Sequence, residues 1–313
     1  MHSAFRIPDD VSPSLHPLIK QFRADALRIR GVAAETADAE LLYICRFFRV
    51  VVSSDEVVRA ISPEQITSFL MAYREQNSSG SLRWMQVSLR AFLRFAFRSS
   101  RIDRDLSALV PVRTSRRFGT VPRSLPDECI ARLRSGIDRG TVEGMRDSAI
   151  ICLLATYGVR GVQIRRLRLD GIDWRNERIH FLAAKGGRPV EQHLVAEAGN
   201  LLSEYVRRAR PESKHPEVFL TLREPFCPLP SAAYLSDTIK RHIKRLGLVL
   251  PDGVSSGTHG FRHAFACRMV GKIPFKDLID QLGHRDPAST LIYSKVDLDG
   301  LRQAALPWPG GGQ

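Results

Sequence analysis

Cysteine is scarce in this 313-residue chain and poorly arranged for cross-links: the five, at positions 45, 129, 152, 227 and 267, are odd in number and form no C-x-x-C pair. Secreted disulfide scaffolds and zinc knuckles both need such pairs, so both are excluded. No stretch approaches the roughly 20 apolar residues that cross a bilayer. The opening "MHSAFRIPDDVSPSLHP" has no apolar core of the kind a secretory leader carries. A cytoplasmic protein is therefore expected. Internal repeats and low-complexity blocks are also missing. Lysine is nearly absent from the first 125 residues, where Lys20 stands alone.

Positive charge is abundant, and arginine supplies most of it. The chain has 47 Lys and Arg against 33 Asp and Glu, a formal charge of +14. Such an excess points to an anionic partner, and nucleic acid is the first candidate. Residues up to Leu125 hold 19 basic and 12 acidic side chains and the remainder 28 and 21, so each part carries the same surplus of seven. A basic tail on a neutral enzyme would concentrate the surplus at one end. Equal shares fit two bodies that both touch a phosphate backbone.

The boundary between those bodies is legible. "LSALVPVRTSRRFGTVPRSL", from Leu106 to Leu125, is proline-punctuated, basic and aperiodic, as an exposed linker is. We expect a helical DNA-binding domain over 1–108, a linker over 109–124, a second domain over 125–306 and a disordered tail over 307–313.

Before the linker the pattern is helical throughout. "LIKQFRADALRIRG" stops at Gly31, "TADAELLYICRFFRVV" starts at Thr36 as its expected N-cap, and "SPEQITSFLMAYREQ" opens with Ser62, Pro63 and Gln65 in good first-turn positions. The fourth helix, "SLRWMQVSLRAFLRFAFRS", puts Leu82, Met85, Leu89, Phe92, Leu93 and Phe97 on an inner side and Arg83, Arg90, Arg94 and Arg98 elsewhere. Trp84 is expected in the core with the phenylalanines. The plain reading of those arginines is a solvated face, and the sharper one a basic rim.

After the linker the pattern is mixed. "MRDSAIICLLATYGV" is almost wholly apolar and is ended by Gly158, so it belongs in the middle of a larger core. "RIHFLAA" and "PVEQHLV" alternate as strands do and are joined by "KGGR", which reads as a hairpin with Lys185 at its tip. Helices are expected next in "AEAGNLLSEYVRRAR", "SAAYLSDTIKRHIKRLG" and "PFKDLIDQLGH".

Residues 257–265 read "GTHGFRHAF". His259 and His263 are an i, i+4 pair, the separation that zinc hydrolases of the H-E-x-x-H type use. Arg262 sits beside His259, and a guanidinium fork with a neighbouring imidazole is equally suited to a phosphate. A zinc hydrolase needs glutamate directly after its first histidine; Gly260 stands there, and Arg262 between the two histidines would repel a dication. No metal and no cofactor is expected.

Other polar residues line up with this motif. Arg160 lies just past the buried helix in "TYGVRGVQIRRL", His284 comes after a helix end in "LGHRD", and Tyr293 stands nine residues later in "STLIYSKVD". Singly, each has an ordinary reading: a surface charge, a helix C-cap and half-buried packing. In the order Y-G-V-R, K-G-G, H-G-F-R-H, L-G-H, Y, the stretch 124–305 resembles the catalytic domain of tyrosine recombinases, the family of phage integrases and mobile-element recombinases. The helical segment with its linker resembles that family's core-binding domain.

The resemblance implies an all-α N-terminal bundle and a mostly helical α+β catalytic domain with a small antiparallel sheet. It also implies a site-specific recombinase that cuts and rejoins DNA through a 3′-phosphotyrosine without metal or ATP. Tyr293 would be the nucleophile and His259 the acceptor of its proton. Arg160 and Arg262 would clamp the non-bridging oxygens, His284 would add a hydrogen bond, and Lys185 would protonate the departing 5′ oxygen. Four protomers, of this chain or related ones, would assemble on duplex DNA carrying inverted-repeat sites, with the segment after Tyr293 docked on a neighbour. The chain would be a simple two-domain member, with no further arm-binding domain.

The chain departs from the family pattern at Gln163, where an acidic residue is usual, and in the hairpin, where Arg188 could share the duty of Lys185. The alternatives are a DNA-binding accessory subunit with weak catalysis and a type IB topoisomerase-like enzyme that relaxes supercoils.

Overall fold

The structure, a computed structural model, describes residues 5–296 except 53, 112–121, 185–186 and 285. The chain divides into two compact units between Ser115 and Arg116. The first contains helices α1 (His16–Arg28), α2 (Ala34–Val51), α3 (Asp55–Arg59), α4 (Pro63–Gln76) and α5 (Ser79–Arg98).

Local sequence sets most of these ends. Gly31 adopts a left-handed φ of +61° and turns the chain after α1. At α4, Ser62 Oγ accepts from the Gln65 amide while Gln65 Oε1 accepts from the Ser62 amide, and Pro63 occupies the first turn, where no amide hydrogen is needed. Helix α2 departs from expectation: it starts after Ala33, whose carbonyl accepts from the amides of Thr36 and Ala37, so Thr36 lies inside the first turn and is not the cap.

Helix α5 is the spine of this unit. Its Leu82, Met85, Leu89, Phe92, Leu93 and Ala96 are buried, and Phe92 meets Phe22 of α1 and Phe48 of α2 edge-on with centroids 5.6 and 5.0 Å apart. Full burial of each large side chain contributes about 1.5–3 kcal/mol. Phe97 and Trp84, expected inside, are instead 43% and 46% exposed, because they fall on the flank of the buried stripe, where Phe95 takes the inner place. The rim arginines are partly occupied within the unit. Arg90 donates to the Val110 carbonyl, Arg94 to Ser107 Oγ and Arg98 to Asp25.

The second unit is mostly helical with a small antiparallel sheet. It runs α6 (Asp127–Ser135), α7 (Val142–Tyr157), α8 (Gly161–Arg165), strands β1 (Ile172–Asp173), β2 (Arg178–Phe181) and β3 (Val190–His193), then α9 (Ala196–Arg208), α10 (Ala232–Arg245), α11 (Thr258–Met269) and α12 (Phe275–Leu282). A 3-10 turn covers Leu291–Val296. The sheet order is β1-β2-β3, with Ile179 opposite Gln192 and Phe181 opposite Val190. Alternation places Ile179, Phe181 and Val190 in the core. Strand β1 and α8 have too few residues to show a period, and neither they nor α6 were anticipated from sequence patterning.

Helix α7 is the buried centre, packed on α9 and α11. It carries an ionic group in that core: Arg146, 1% exposed, donates Nε to Asp147 Oδ1 at 2.9 Å, and Asp147 Oδ2 lies 2.8 Å from His242 Nε2 of α10. These contacts tie α7 to α10. Among the described residues no helix is long and apolar enough to cross a membrane. Most of the expected linker, and the stretches 297–306 and 307–313 to which protomer docking and a disordered tail were assigned, lie outside the described residues.

Candidate active site

Three helix ends build the site. Helix α7 stops at Gly158, whose φ of +59° is open to glycine and strained for other residues. A Cβ at this position would stand 2.5 Å from the Phe265 ring of α11, so glycine also permits the close approach of the two helices. Two residues on, Arg160 is the N-cap of α8. Gly161 packs at the start of α11, where an added Cβ would lie 3.1 Å from the Thr258 side chain. The third end is that of α12, closed by Gly283 at φ +60°.

Arg262, 4% exposed, projects from α11 into the space these ends enclose. Its Nη1 donates to the Gly158 carbonyl at 2.9 Å, and its Nη2 donates to the Leu282 carbonyl at 2.7 Å. Arg160 Nη1 reaches the same Leu282 carbonyl at 3.4 Å. The C-terminal carbonyls of a helix carry partial negative charge, which suits them to hold guanidinium groups. Yet these acceptors are neutral groups, and among the described residues no carboxylate is ion-paired with either arginine. Burial and the charge of Arg160 push the Arg262 guanidinium down to about 9, and burial lowers Arg160 as well. Both remain protonated at neutral pH. Among the described residues, then, two cations share a largely buried site with no carboxylate paired to either, a condition that favours the binding of an anion.

His284 comes directly after Gly283 and completes the cluster. Its Nε2 is 2.6 Å from Arg262 Nη2 and its Nδ1 2.6 Å from the buried Thr290 Oγ1. Arginine can only donate, so Nε2 is the acceptor and the ring proton sits on Nδ1, donated to Thr290. Burial and the two arginines push the imidazole down to about 3, so it is neutral.

Tyr293 sits on the 3-10 turn, 2% exposed, in a small core with Phe265, Ala266, Leu278 and Leu282. Burial raises its phenol to about 12, against the pull of Arg262 and Arg160. Its hydroxyl lies 2.9 Å from His263 Nδ1. That contact differs from the expectation for His259, which is exposed on the preceding turn of α11 with its ring centroid 6.5 Å from that of His263. The i, i+4 pair shares a face, and the position of the 3-10 turn decides which of the two meets the tyrosine.

Lys185 falls outside the described residues. The residues that close its loop do not: the Gly187 amide donates to the Ala184 carbonyl at 2.9 Å, and a Cβ on Gly187 would stand 2.6 Å from the Gly283 carbonyl and 3.7 Å from Arg160 Nη1. The base of the hairpin loop thus abuts the arginine site. Arg188 is exposed. Gln163 is buried and fully used: its Oε1 accepts from the Arg160 amide at 3.0 Å and its Nε2 donates to the Leu182 carbonyl at 3.2 Å. It fixes Arg160 to the end of β2. Among the described residues no group of three or more His, Cys, Asp or Glu side chains is placed to hold a metal ion.

Arg160, Arg262, His284 and Tyr293 therefore converge, and His259 lies at the edge. Sequence reasoning missed His263 as the tyrosine's partner and Thr290 as the acceptor of the His284 ring proton. The i, i+4 spacing of the histidines was the available signal for the first; nothing in the sequence marks the second.

Comparison with known proteins places these residues in context. Residues 124–299 match the Phage integrase family. The integrase/recombinase y4rA of Sinorhizobium fredii (strain NBRC 101917 / NGR234) is 36% identical over 249 residues, covering 79% of this chain and 60% of its own length. This chain thus spans less than two thirds of that relative. The tyrosine recombinase XerD of Ralstonia nicotianae is 25% identical over 296 residues, 93% of each protein. Among solved structures, the XerH site-specific recombinase bound to palindromic difH substrate, a post-cleavage complex, shares the fold with a TM-score of 0.65 at 19% identity, over 91% of this chain and 83% of that one.

Proposed function

The chain belongs to the Phage integrase family, and from that premise we propose that it is a site-specific DNA recombinase that cuts and rejoins strands through a phosphotyrosine. The observation that carries this reading is the pair of guanidinium groups on neutral acceptors beside a tyrosine, Arg160 and Arg262 at the Leu282 carbonyl with Tyr293 packed against the same residue. A phosphodiester brings the missing negative charge to such a site. As the phosphorus becomes five-coordinate its non-bridging oxygens gain charge, so donors already in place bind the transition state more tightly than the ground state. Removal of one donor of this kind slows reaction by about 10²–10³-fold.

Tyr293 Oη forms the bond to phosphorus, the 5′ oxygen leaves, and a later 5′ hydroxyl from another strand reverses the step. The leaving oxygen needs a proton, which we assign to Lys185 on the loop whose base abuts Arg160. His284 strengthens the clamp: an arriving phosphate offsets the two arginines that hold its imidazole low, so the ring gains the capacity to donate. The even division of surplus positive charge between the two parts of the sequence supports DNA contacts from both. We assign domains 1–108 and 125–306 to those contacts, with protomers assembled as a tetramer on two inverted-repeat sites in the cytoplasm.

The test is covalent trapping. Nicked duplexes tiled across the DNA flanking the gene are incubated in EDTA with wild-type or Tyr293→Phe protein and run on a denaturing gel. An adduct from wild type alone is the expected result. Specific binding without an adduct would make the chain an accessory subunit, and an adduct with supercoil relaxation on any sequence would make it a relaxing enzyme.

A further inference from the structure

The side chain that meets the nucleophilic oxygen is His263, and any role for it in catalysis rests on the reading of Tyr293 as nucleophile. We propose that His263 is the general base of strand cleavage, its Nδ1 taking the phenolic proton as Tyr293 Oη bonds to phosphorus.

The geometry is that of an activated nucleophile. Oη and Nδ1 are 2.9 Å apart, inside the range in which a base removes a proton directly, and the two ring centroids are 5.6 Å apart. The contact is held by packing on both sides. Phe265 and Ala266, the next turn of α11, share a core with Tyr293, Leu278 and Leu282, which fixes the 3-10 turn against the helix. The phenol is protonated across the physiological range and so donates the hydrogen bond, leaving Nδ1 as acceptor.

The surroundings keep the imidazole able to accept. His259 and Arg262 act on it from its own helix and Tyr293 meets it from the facing turn, while Cys267 of α11 and Arg160 at the start of α8 act on Tyr293. Burial first, then His259 and Arg262, hold His263 below the ordinary imidazole value, so at neutral pH it is unprotonated. His259 is exposed and one turn removed from this contact.

The step balances. The Tyr293 oxygen–phosphorus bond forms and the phosphorus–5′ oxygen bond breaks. The phenolic proton moves to His263 Nδ1, and the leaving oxygen takes a proton from the separate acid assigned to Lys185. In rejoining, imidazolium returns its proton to the Tyr293 oxygen.

The experiment measures the rate of adduct formation on the trapping duplex, at DNA below saturation, as a function of pH. Wild type, His263→Ala, His263→Gln and His259→Ala are compared, with and without added imidazole. In parallel, each histidine of the free full-length chain is titrated by NMR with isotope-labelled histidine. We expect the wild-type rate to rise with pH to a plateau, with a midpoint below the ordinary imidazole value of about 6.5 that equals the NMR midpoint of His263. His263→Ala and His263→Gln should slow adduct formation by about 10²–10⁴-fold, and imidazole should restore part of the rate to the alanine variant alone. His259→Ala should keep the acidic limb.

The proposal is overturned if His263→Ala stays within about threefold of wild type, if its loss is not restored by imidazole and leaves the limb unchanged, or if His259→Ala removes the limb. Comparison of the wild-type profile with the NMR midpoint decides the matter without any variant, should the variants not fold. Absence of an adduct from wild type itself would sink the parent reading and this one with it, whereas an intact wild-type adduct with an indifferent His263 would sink this one alone.

Discussion

Arg262 Nη2 and His284 Nε2 stand 2.6 Å apart, with the arginine donating. A histidine held in that role cannot also be charged, and burial beside two guanidinium groups pushes it down to about 3. In the unfolded chain the same imidazole titrates near 6.5. Between these values the unfolded state binds more protons, so the contribution to stability is complete above about pH 6.5 and is lost as pH falls toward the folded value. The melting temperature should therefore fall on acidification from about pH 6.5 to 5, above the range where most carboxylates titrate. His284→Gln should flatten that slope in a scanning-calorimetry series.

A bound anion should stabilise the folded chain. Phosphate or sulfate that binds only the native state adds about 2.7 kcal/mol at a hundred times its dissociation constant. The melting temperature of wild type should rise with sulfate and saturate. In the Arg160→Ala, Arg262→Ala double variant the saturable part should be gone, leaving only the shallow dependence common to salts. An equal saturable rise in both proteins would remove the arginine pair as the anion site.

Arg262→Lys should behave as a loss of function. One ammonium cannot reproduce two guanidinium branches that reach Gly158, Leu282 and His284 together. Adduct formation on the trapping duplex should drop by about 10²–10³-fold, and Arg262→Ala should match it within error.

Gln163→Glu restores the residue type usual in the family, yet here it should destabilise. The amide Nε2 donates to the Leu182 carbonyl, and a carboxylate would set two acceptors against each other in a buried position. The cost should be about 1–3 kcal/mol at neutral pH. Because the protonated carboxyl can donate, its folded pKa is raised, so the deficit relative to wild type should shrink as pH falls. Urea melts at about pH 7.5 and about pH 5.5, on either side of a raised carboxyl, check the size and sign.

Asp147→Ala should be the most damaging single change away from the site. It leaves Arg146 buried without its carboxylate and breaks the bridge from α7 to His242 on α10. Loss of one partner of such a buried pair costs about 3–5 kcal/mol, to be read from denaturant midpoints.

The mixture of elements was legible, and so were the polar residues that the fold gathers into one place, because both are written in short local patterns. Ser62 with Gln65, Gly31 and Gly158 act within a turn or two of their own positions, so their roles can be read where they stand. The choice between His259 and His263 could not be made that way, since a residue thirty positions along the chain determines it. Phe97 and Trp84 show the same limit within one helix: the pattern identifies a stripe, but its width is set by the helices packed against it. Gln163 looked like a deficiency in the sequence and is a brace in the structure, because its partner carbonyl comes from the far end of a strand.

The burial of Tyr293 has a bearing on how the protein behaves between reactions. Tyr293, 2% exposed as a whole residue, sits on a turn packed into its own small core and shows almost none of its side chain at the surface. While the Leu291–Val296 turn keeps its packing against α11, the phenol faces His263 inside that core rather than the solvent. Shelter of this oxygen is thus a property of the fold, independent of how tightly the chain binds any partner.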